Sequence, residues 1–286
     1  MHYRLLAVDL DGTLLDDDAR VSDENRAAIA DAQSAGLAVV PCTGRAWRES
    51  VAMLRNVPGL GAGVFVTGAA ISDVQTGRSL DLSAIDPNLA AEVVTFLYDM
   101  PEAVLVFREA EFAGHDYLIT GRGELSDNTR WWFDQCGAVT HDQPDPTADD
   151  LHHTLRIGLV ASRPRLDEVT AALRQRFGDR LFMHYFQSVG RPENDGAMFV
   201  LEIFAAGVNK WRGLGWIARQ QDIESSQIVT IGDEINDVTM LEHAGCAIAM
   251  GNAVDCAKQV ADHITTDNRC HGVAHAIAQL ISGRWG

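Results

Sequence analysis

Apolar residues in the first 75 positions come in short unbroken runs separated by stretches with helical spacing. The runs at 5–8, 37–41 and 64–66 are continuous and rich in branched side chains, the pattern of strands buried on both faces. Between the first two, Ser22 reads as an N-cap, Asp23 and Glu24 suit the positive end of a helix, and Gly36 ends the segment, so a helix is predicted over 23–35. The same rhythm returns late in the chain, where runs at 228–231, 246–250 and 263–265 alternate with helical patterns at 211–219, 238–244 and 254–260. Strand, helix, strand in succession predicts a parallel sheet covered on both faces.

The middle of the chain is built differently. Helical patterns at 87–99, 125–135 and 166–177 are interleaved with strand-like runs at 104–108, 117–120, 155–160, 181–187 and 198–204, and 141–150 reads as a loop rich in proline and aspartate. A helix followed by two strands at both ends of this region predicts an antiparallel sheet with helices on one face. The fold class is therefore α/β: a Rossmann-like parallel-sheet core domain assembled from residues 1–82 and 204–286, with an α+β domain inserted at 83–203, both of ordinary domain size.

Charge narrows the function. The 286 residues carry 23 Lys+Arg against 40 Asp+Glu, a formal net charge of −17, which repels phosphate backbones and argues against a nucleic-acid partner. No apolar stretch approaches the roughly 18 to 20 residues of a membrane span, and the N-terminus lacks a signal-peptide layout. Cysteines at 42, 136, 246, 256 and 270 are odd in number and form no CxxC pair, so neither a disulfide framework nor a zinc knuckle is expected, and a cytoplasmic location is.

Four segments carry candidate chemistry, each beside a predicted strand end, where ligands of parallel sheets bind. Asp9-Leu10-Asp11-Gly12-Thr13-Leu14 places two carboxylates in a tight turn; a surface Asp-Gly turn would look the same. Thr43-Gly44-Arg45 offers a hydroxyl, free amides and a planar cation to a phosphate; a helix cap followed by a surface arginine is the alternative. In Gly232-Asp233-Glu234-Ile235-Asn236-Asp237, oxygen donors suit a hard divalent cation, magnesium best, or serve as an acidic helix start. Lys210 is one of only two lysines, with Lys258, and stands at a strand-to-helix junction, where an ammonium can bridge a nucleophile and a phosphate oxygen. His271 and His275, four apart on a predicted helix, lack a third ligand and read as surface or packing residues.

In this order and combination the four segments resemble the haloacid-dehalogenase superfamily of phosphohydrolases. The position of the insert, Ala249-Met250-Gly251-Asn252-Ala253 and the stretch 268–273 resemble its Cof-like, class IIB branch. The resemblance implies a magnesium-dependent phosphatase acting on a small phosphorylated metabolite, a sugar phosphate or similar, through an aspartyl phosphate on Asp9. Asp11 would be the acid and base. Thr43, Gly44 and Lys210 would hold the phosphoryl group. Asp9, the Asp11 backbone carbonyl and Asp233 would hold magnesium, with Asn236 and Asp237 positioning or completing the site. A mobile cap would exclude water and supply specificity; Arg45, His184, Tyr185, Arg191 and Glu193 are the candidate substrate contacts. Related caps also occur with hexose phosphate mutases, so phosphotransfer is the alternative within enzymes, and a non-catalytic phospho-acceptor or sensor the alternative outside them. The chain departs from the branch at Thr67-Gly68-Ala69, where Asn-Gly-Ala is common, and at Trp211, where glycine often follows the lysine. Oligomeric state leaves no signal in the sequence.

Overall fold

The computed structural model describes residues 2–187 and 198–285. The chain divides into two compact units, Met1–Asp81 with Asn209–Gly286, and Leu82–Val208.

In the first unit five parallel strands lie in the order His263–Ile264, Cys246–Ala249, Ile228–Gly232, Leu5–Val8 and Ala38–Pro41. Leu5–Val8 is central, with Leu5 opposite both Ile228 and Ala38. Alternate residues face opposite sides of a sheet. Leu5 and Ala7 join a core with Val40, Leu214, Ile217 and Met240, while Leu6 and Val8, on the other face, are just as buried. Burial on both faces is why this strand has no polar alternation.

The run at 64–66 resolves differently from a simple core strand. Ala62–Phe65 touches the parallel sheet only through a bridge between Cys42 and Val64, then pairs antiparallel with Ala70–Asp73 in a three-stranded sheet closed by Ser79–Leu82. The helix Trp47–Leu54 stood in the sequence only as the alternative reading of Thr43 as a helix cap.

The second unit is a six-stranded mixed sheet in the order Leu181–Gln187, Phe199–Ala205, Thr154–Ala161, Val104–Arg108, Tyr117–Thr120 and Thr140–Asp142. Neighbours are antiparallel except the last pair. The edge strand Thr140–Asp142 overlaps the start of the predicted loop and is exposed at every position, so it carries no apolar signal. Helices Pro87–Leu97 and Arg163–Phe177 cover one face, packing Val93, Leu97, Leu166 and Leu173 on Val106, Leu159 and Ile203.

The opposite face holds a buried polar network. Arg156 is ion-paired with Glu202, donates to the Tyr117 hydroxyl at 2.7 Å and stacks over the Phe107 ring. His184 Nε2 lies 3.1 Å from the other Glu202 oxygen. Burial opposes ionisation of Glu202, but the Arg156 guanidinium and His184 together outweigh it and hold the carboxyl below the usual glutamate range. A depressed folded pKa contributes stability that is complete above the unfolded value and lost as pH falls through the folded one. Glu202→Gln, which leaves Arg156 buried without its counter-ion, should therefore lower stability by about 3 kcal/mol at neutral pH. The deficit relative to wild type should shrink on acidification below about pH 4, near the ordinary glutamate pKa; chemical denaturation of both proteins across pH checks this.

Candidate active site

The strand Leu5–Val8 ends at Asp9, whose N–H donates to the Ile231 carbonyl of the neighbouring strand at 3.0 Å. The chain then turns tightly through Leu10–Leu14, with Gly12 at φ +73°. A Cβ on Gly12 would stand 2.2 Å from Asp233 Oδ2, so only glycine allows this turn and the Asp233 carboxylate to meet. Thr13, fully buried, donates from Oγ1 to Asp233 Oδ1 at 2.7 Å. Gly232 serves likewise on the next strand: a Cβ there would lie 2.5 Å from the Asp237 carboxyl carbon.

Lys210 begins the helix Lys210–Gln220, capped by Asn209, whose side chain accepts from Arg212 N–H at 2.8 Å. Its side chain is 0% exposed, and the ammonium donates to Asp9 Oδ1 at 2.5 Å and Asp237 Oδ1 at 2.6 Å. Burial alone would drive the lysine pKa down, but the Asp237 and Asp9 carboxylates reverse this and hold it above the ordinary lysine value. Asp237 Oδ2 meanwhile accepts from the Asp233 and Glu234 amides at 2.9 and 3.1 Å.

Carboxylate oxygens of Asp9, Asp233 and Asp237 come within 4.8 Å of one another. The one buried ammonium bonds two of these three acidic groups, Asp9 and Asp237. Burial, with the repulsion of Asp237, Asp233 and Asp11, pushes Asp9 well above the ordinary aspartate range despite Lys210. Burial and Asp237 push Asp233 up to about 7 against the Thr13 hydrogen bond and Lys210. Such crowding is what a divalent cation relieves, and the all-oxygen donor set fits a hard one.

Asp11 takes another direction. Arg45 Nε and Nη2 donate to its Oδ2 and Oδ1 at 2.7 and 2.6 Å, a bidentate ion pair. Burial opposes the charge on Arg45, but this hydrogen-bonded partner raises its pKa overall. Thr43 is buried and accepts from the Arg45 amide at 3.1 Å; the cap of the following helix is Ala46, not Thr43. Asn236 lies beside Gly44, its Nδ2 3.6 Å from where a Cβ would be.

The sequence-predicted residues thus fall into three groups. Asp9, Asp233, Asp237 and Lys210 converge; Asp11, Thr43, Gly44, Arg45 and Asn236 belong to the same unit. His184 and Tyr185 belong to the inserted unit, where His184 is held by Glu202 and the Tyr185 hydroxyl donates to Asp167. Arg191 and Glu193 lie outside the described residues.

Sequence reasoning missed the residues that brace the acidic turn. Asn252 Nδ2 donates to the Gly12 carbonyl at 2.8 Å, and Asn268 donates through Nδ2 to the Leu15 carbonyl at 2.9 Å and through its amide to Asn252 Oδ1 at 3.0 Å. Asn25 ties the Leu14 carbonyl to the Ala274 amide. Asn252 and Asn268 lie in stretches singled out by resemblance, yet nothing local to them announces a role. His271 and His275 serve separate partners, Ser22 and Thr265.

The model for haloacid dehalogenase-like hydrolases matches residues 6–277. Among curated proteins, the chain is 28% identical over 284 residues to the 5-amino-6-(5-phospho-D-ribitylamino)uracil phosphatase YcsE of Bacillus subtilis, covering 97% of this chain and 96% of the relative. It is 27% identical over 289 residues to phosphatase YwpJ of the same organism, covering 97% and 100%. Among solved structures, the subclass IIB sugar phosphatase BT4131 shares the fold with a TM-score of 0.75 at 19% identity, over 97% of this chain and 98% of that one. With a match spanning nearly its whole length, a parallel core sheet and an inserted mixed sheet, the chain belongs to the haloacid dehalogenase-like hydrolases.

Proposed function

We propose that the protein is a magnesium-dependent phosphomonoester hydrolase that works through an aspartyl phosphate on Asp9. The observation that carries this reading is the Asp9 carboxylate itself. It is buried and fixed through Oδ1 by Lys210, and no other hydrogen bond engages it among the described residues. The second carboxylate oxygen is left to attack phosphorus. As its bond to phosphorus forms, the ester P–O bond breaks, and Asp11 gives its proton to the departing alkoxide. Asp11 then takes a proton from water, whose oxygen attacks the phosphoryl group. The Asp9–phosphorus bond breaks, and inorganic phosphate leaves with Asp9 restored.

Lys210, Thr43 and the Gly44 amide hold the phosphoryl oxygens, Lys210 as the only buried ammonium among the described residues. Arg45 presents Asp11 through its two hydrogen bonds and is displaced when Asp11 protonates the leaving group. The Asp9 and Asp233 carboxylates and the Asp11 backbone carbonyl would hold magnesium, with Asn236 and Asp237 around it. When bound, the ion offsets the charge that gathers on the phosphoryl oxygens.

For the substrate we infer a small phosphorylated metabolite carrying a hydroxylated chain, such as a sugar phosphate. YcsE is named for a phosphoribityl compound and BT4131 for sugar phosphates. The acidic surface suits a small substrate and not a polyanion. The cysteine usage, with all five thiols free, fits a cytoplasmic setting.

Purified protein with magnesium should release many equivalents of phosphate from p-nitrophenyl phosphate and from sugar phosphates, and Asp9→Asn should lower turnover by about 10^4-fold or more. A single stoichiometric phosphorylation, isomerisation of a sugar phosphate without phosphate release, or full activity in Asp9→Asn would each contradict the proposal. Asp11→Asn should show a leaving-group signature. Hydrolysis of an alkyl phosphate, whose alkoxide needs a proton, should fall by about 100-fold or more, and that of p-nitrophenyl phosphate by much less. Equal losses on both substrates would remove Asp11 from the role of acid.

A further inference from the structure

The turn after Ala62–Phe65 is strained in a way that no element of the fold requires. Val66, Thr67 and Gly68 all have positive φ, at +50°, +56° and +98°, and the first two are β-branched, the residue type least suited to the left-handed region. Gly68 has a packing reason for its conformation: a Cβ there would stand 2.1 Å from the Asn209 carbonyl, at the start of the Lys210 helix. Thr67 has none of that kind. Strain of this sort is kept where the surroundings over-determine it, and it clusters at functional sites.

Those surroundings are the loop from Thr43 to Arg45. The Thr67 amide donates to the Thr43 carbonyl at 3.0 Å, and the Val66 amide to the Arg45 carbonyl at 2.9 Å. The left-handed backbone thus lays Thr67 against the segment proposed to hold phosphate. The Thr67 side chain is 0% exposed, and its Oγ1 has no hydrogen-bond partner among the described residues. Asn236 Oδ1 is buried and unpartnered in the same way. Both residues approach Gly44: a Cβ there would lie 3.4 Å from Thr67 Oγ1 and 3.6 Å from Asn236 Nδ2. Buried polar groups are almost always paired, so the orphaned Thr67 hydroxyl beside Gly44 marks a place for a polar ligand.

We infer that the Thr67 hydroxyl is a further phosphate-binding donor, contacting the phosphoryl oxygen that sits against Gly44. A hydroxyl here can donate to an anion, and the missing side chain at Gly44 gives a phosphoryl oxygen room to approach. The Asn236 Nδ2 amide, 3.6 Å from the same point, is a second donor within reach of it. This deepens the phosphatase reading and rests on it for the identity of the anion.

The test compares Thr67→Ala with Thr67→Ser, which share the release from β-branching and differ only in the oxygen. Inorganic phosphate is titrated calorimetrically into the full-length protein in magnesium buffer, with p-nitrophenyl phosphate turnover and thermal melting measured on the same samples. Thr67→Ser should bind phosphate within about twofold of wild type and Thr67→Ala about tenfold more weakly, the size of one hydrogen bond to a charged group. Should Thr67→Ala fail to fold, Thr67→Val takes its place and keeps the branched shape. Equal phosphate affinity in the variants with and without the hydroxyl, or no phosphate binding in wild type, overturns the inference. A hydroxyl-dependent affinity in a protein that fails to turn over ester substrates would uphold the phosphate contact while sinking the hydrolase reading, so the two failures are distinguishable.

Discussion

Everything in the first unit is arranged around an ammonium that water does not reach. Lys210 holds Asp9 and Asp237 together from the start of a helix. Two carboxylates at that depth would otherwise repel one another and resist ionisation. Because the lysine is fully buried and doubly bonded, it acts as a fixed positive charge and not as a solvated side chain. Its strength is also its limit: one cation cannot serve Asp9, Asp233 and Asp237 together, and the raised pKa values of Asp9 and Asp233 record the shortfall. A site so arranged suits a hard divalent cation.

The site depends on close backbone approach. Gly12 lets the acidic turn reach Asp233, Gly232 makes room for Asp237, and Gly68 lets the strained turn lie against Asn209 beside Lys210. Three asparagines, Asn25, Asn252 and Asn268, then fasten the turn by its carbonyls. These residues touch no reacting atom. They set the spacing within which charges at 2.5 to 2.9 Å can be held without reorganisation, which is the condition for electrostatic catalysis.

How much of this could be read in advance varied with its physical origin. The parallel core was legible because strands buried on both faces write themselves as unbroken apolar runs, and Leu5–Val8 is such a run. Asp9, Asp233 and Lys210 were legible because each follows directly from a strand end or helix start. The small sheet through Ala70–Asp73 was not, since Ala-Ile-Ser-Asp has no distinguishing pattern, nor was the exposed edge strand Thr140–Asp142. Thr13, Asn25, Asn252 and Asn268 escaped because their roles come from contacts across many positions; Asn252 meets Gly12 from 240 residues away. The ion pair between Arg45 and Asp11 escaped for the same reason, and it turns a presumed substrate contact into a partner of the proposed acid. The substrate candidates His184 and Tyr185 have partners within their own unit that the sequence does not suggest.

The central claim is that phosphorus passes through a covalent bond to Asp9. The most direct measurement is to quench the turning-over enzyme, reduce it with borohydride, which converts an aspartyl phosphate to homoserine, and sequence the N-terminal peptide by mass spectrometry. The account predicts homoserine at position 9, dependent on substrate and absent without it. Full turnover with an unmodified Asp9, or with the reduced residue elsewhere in the chain, would contradict it.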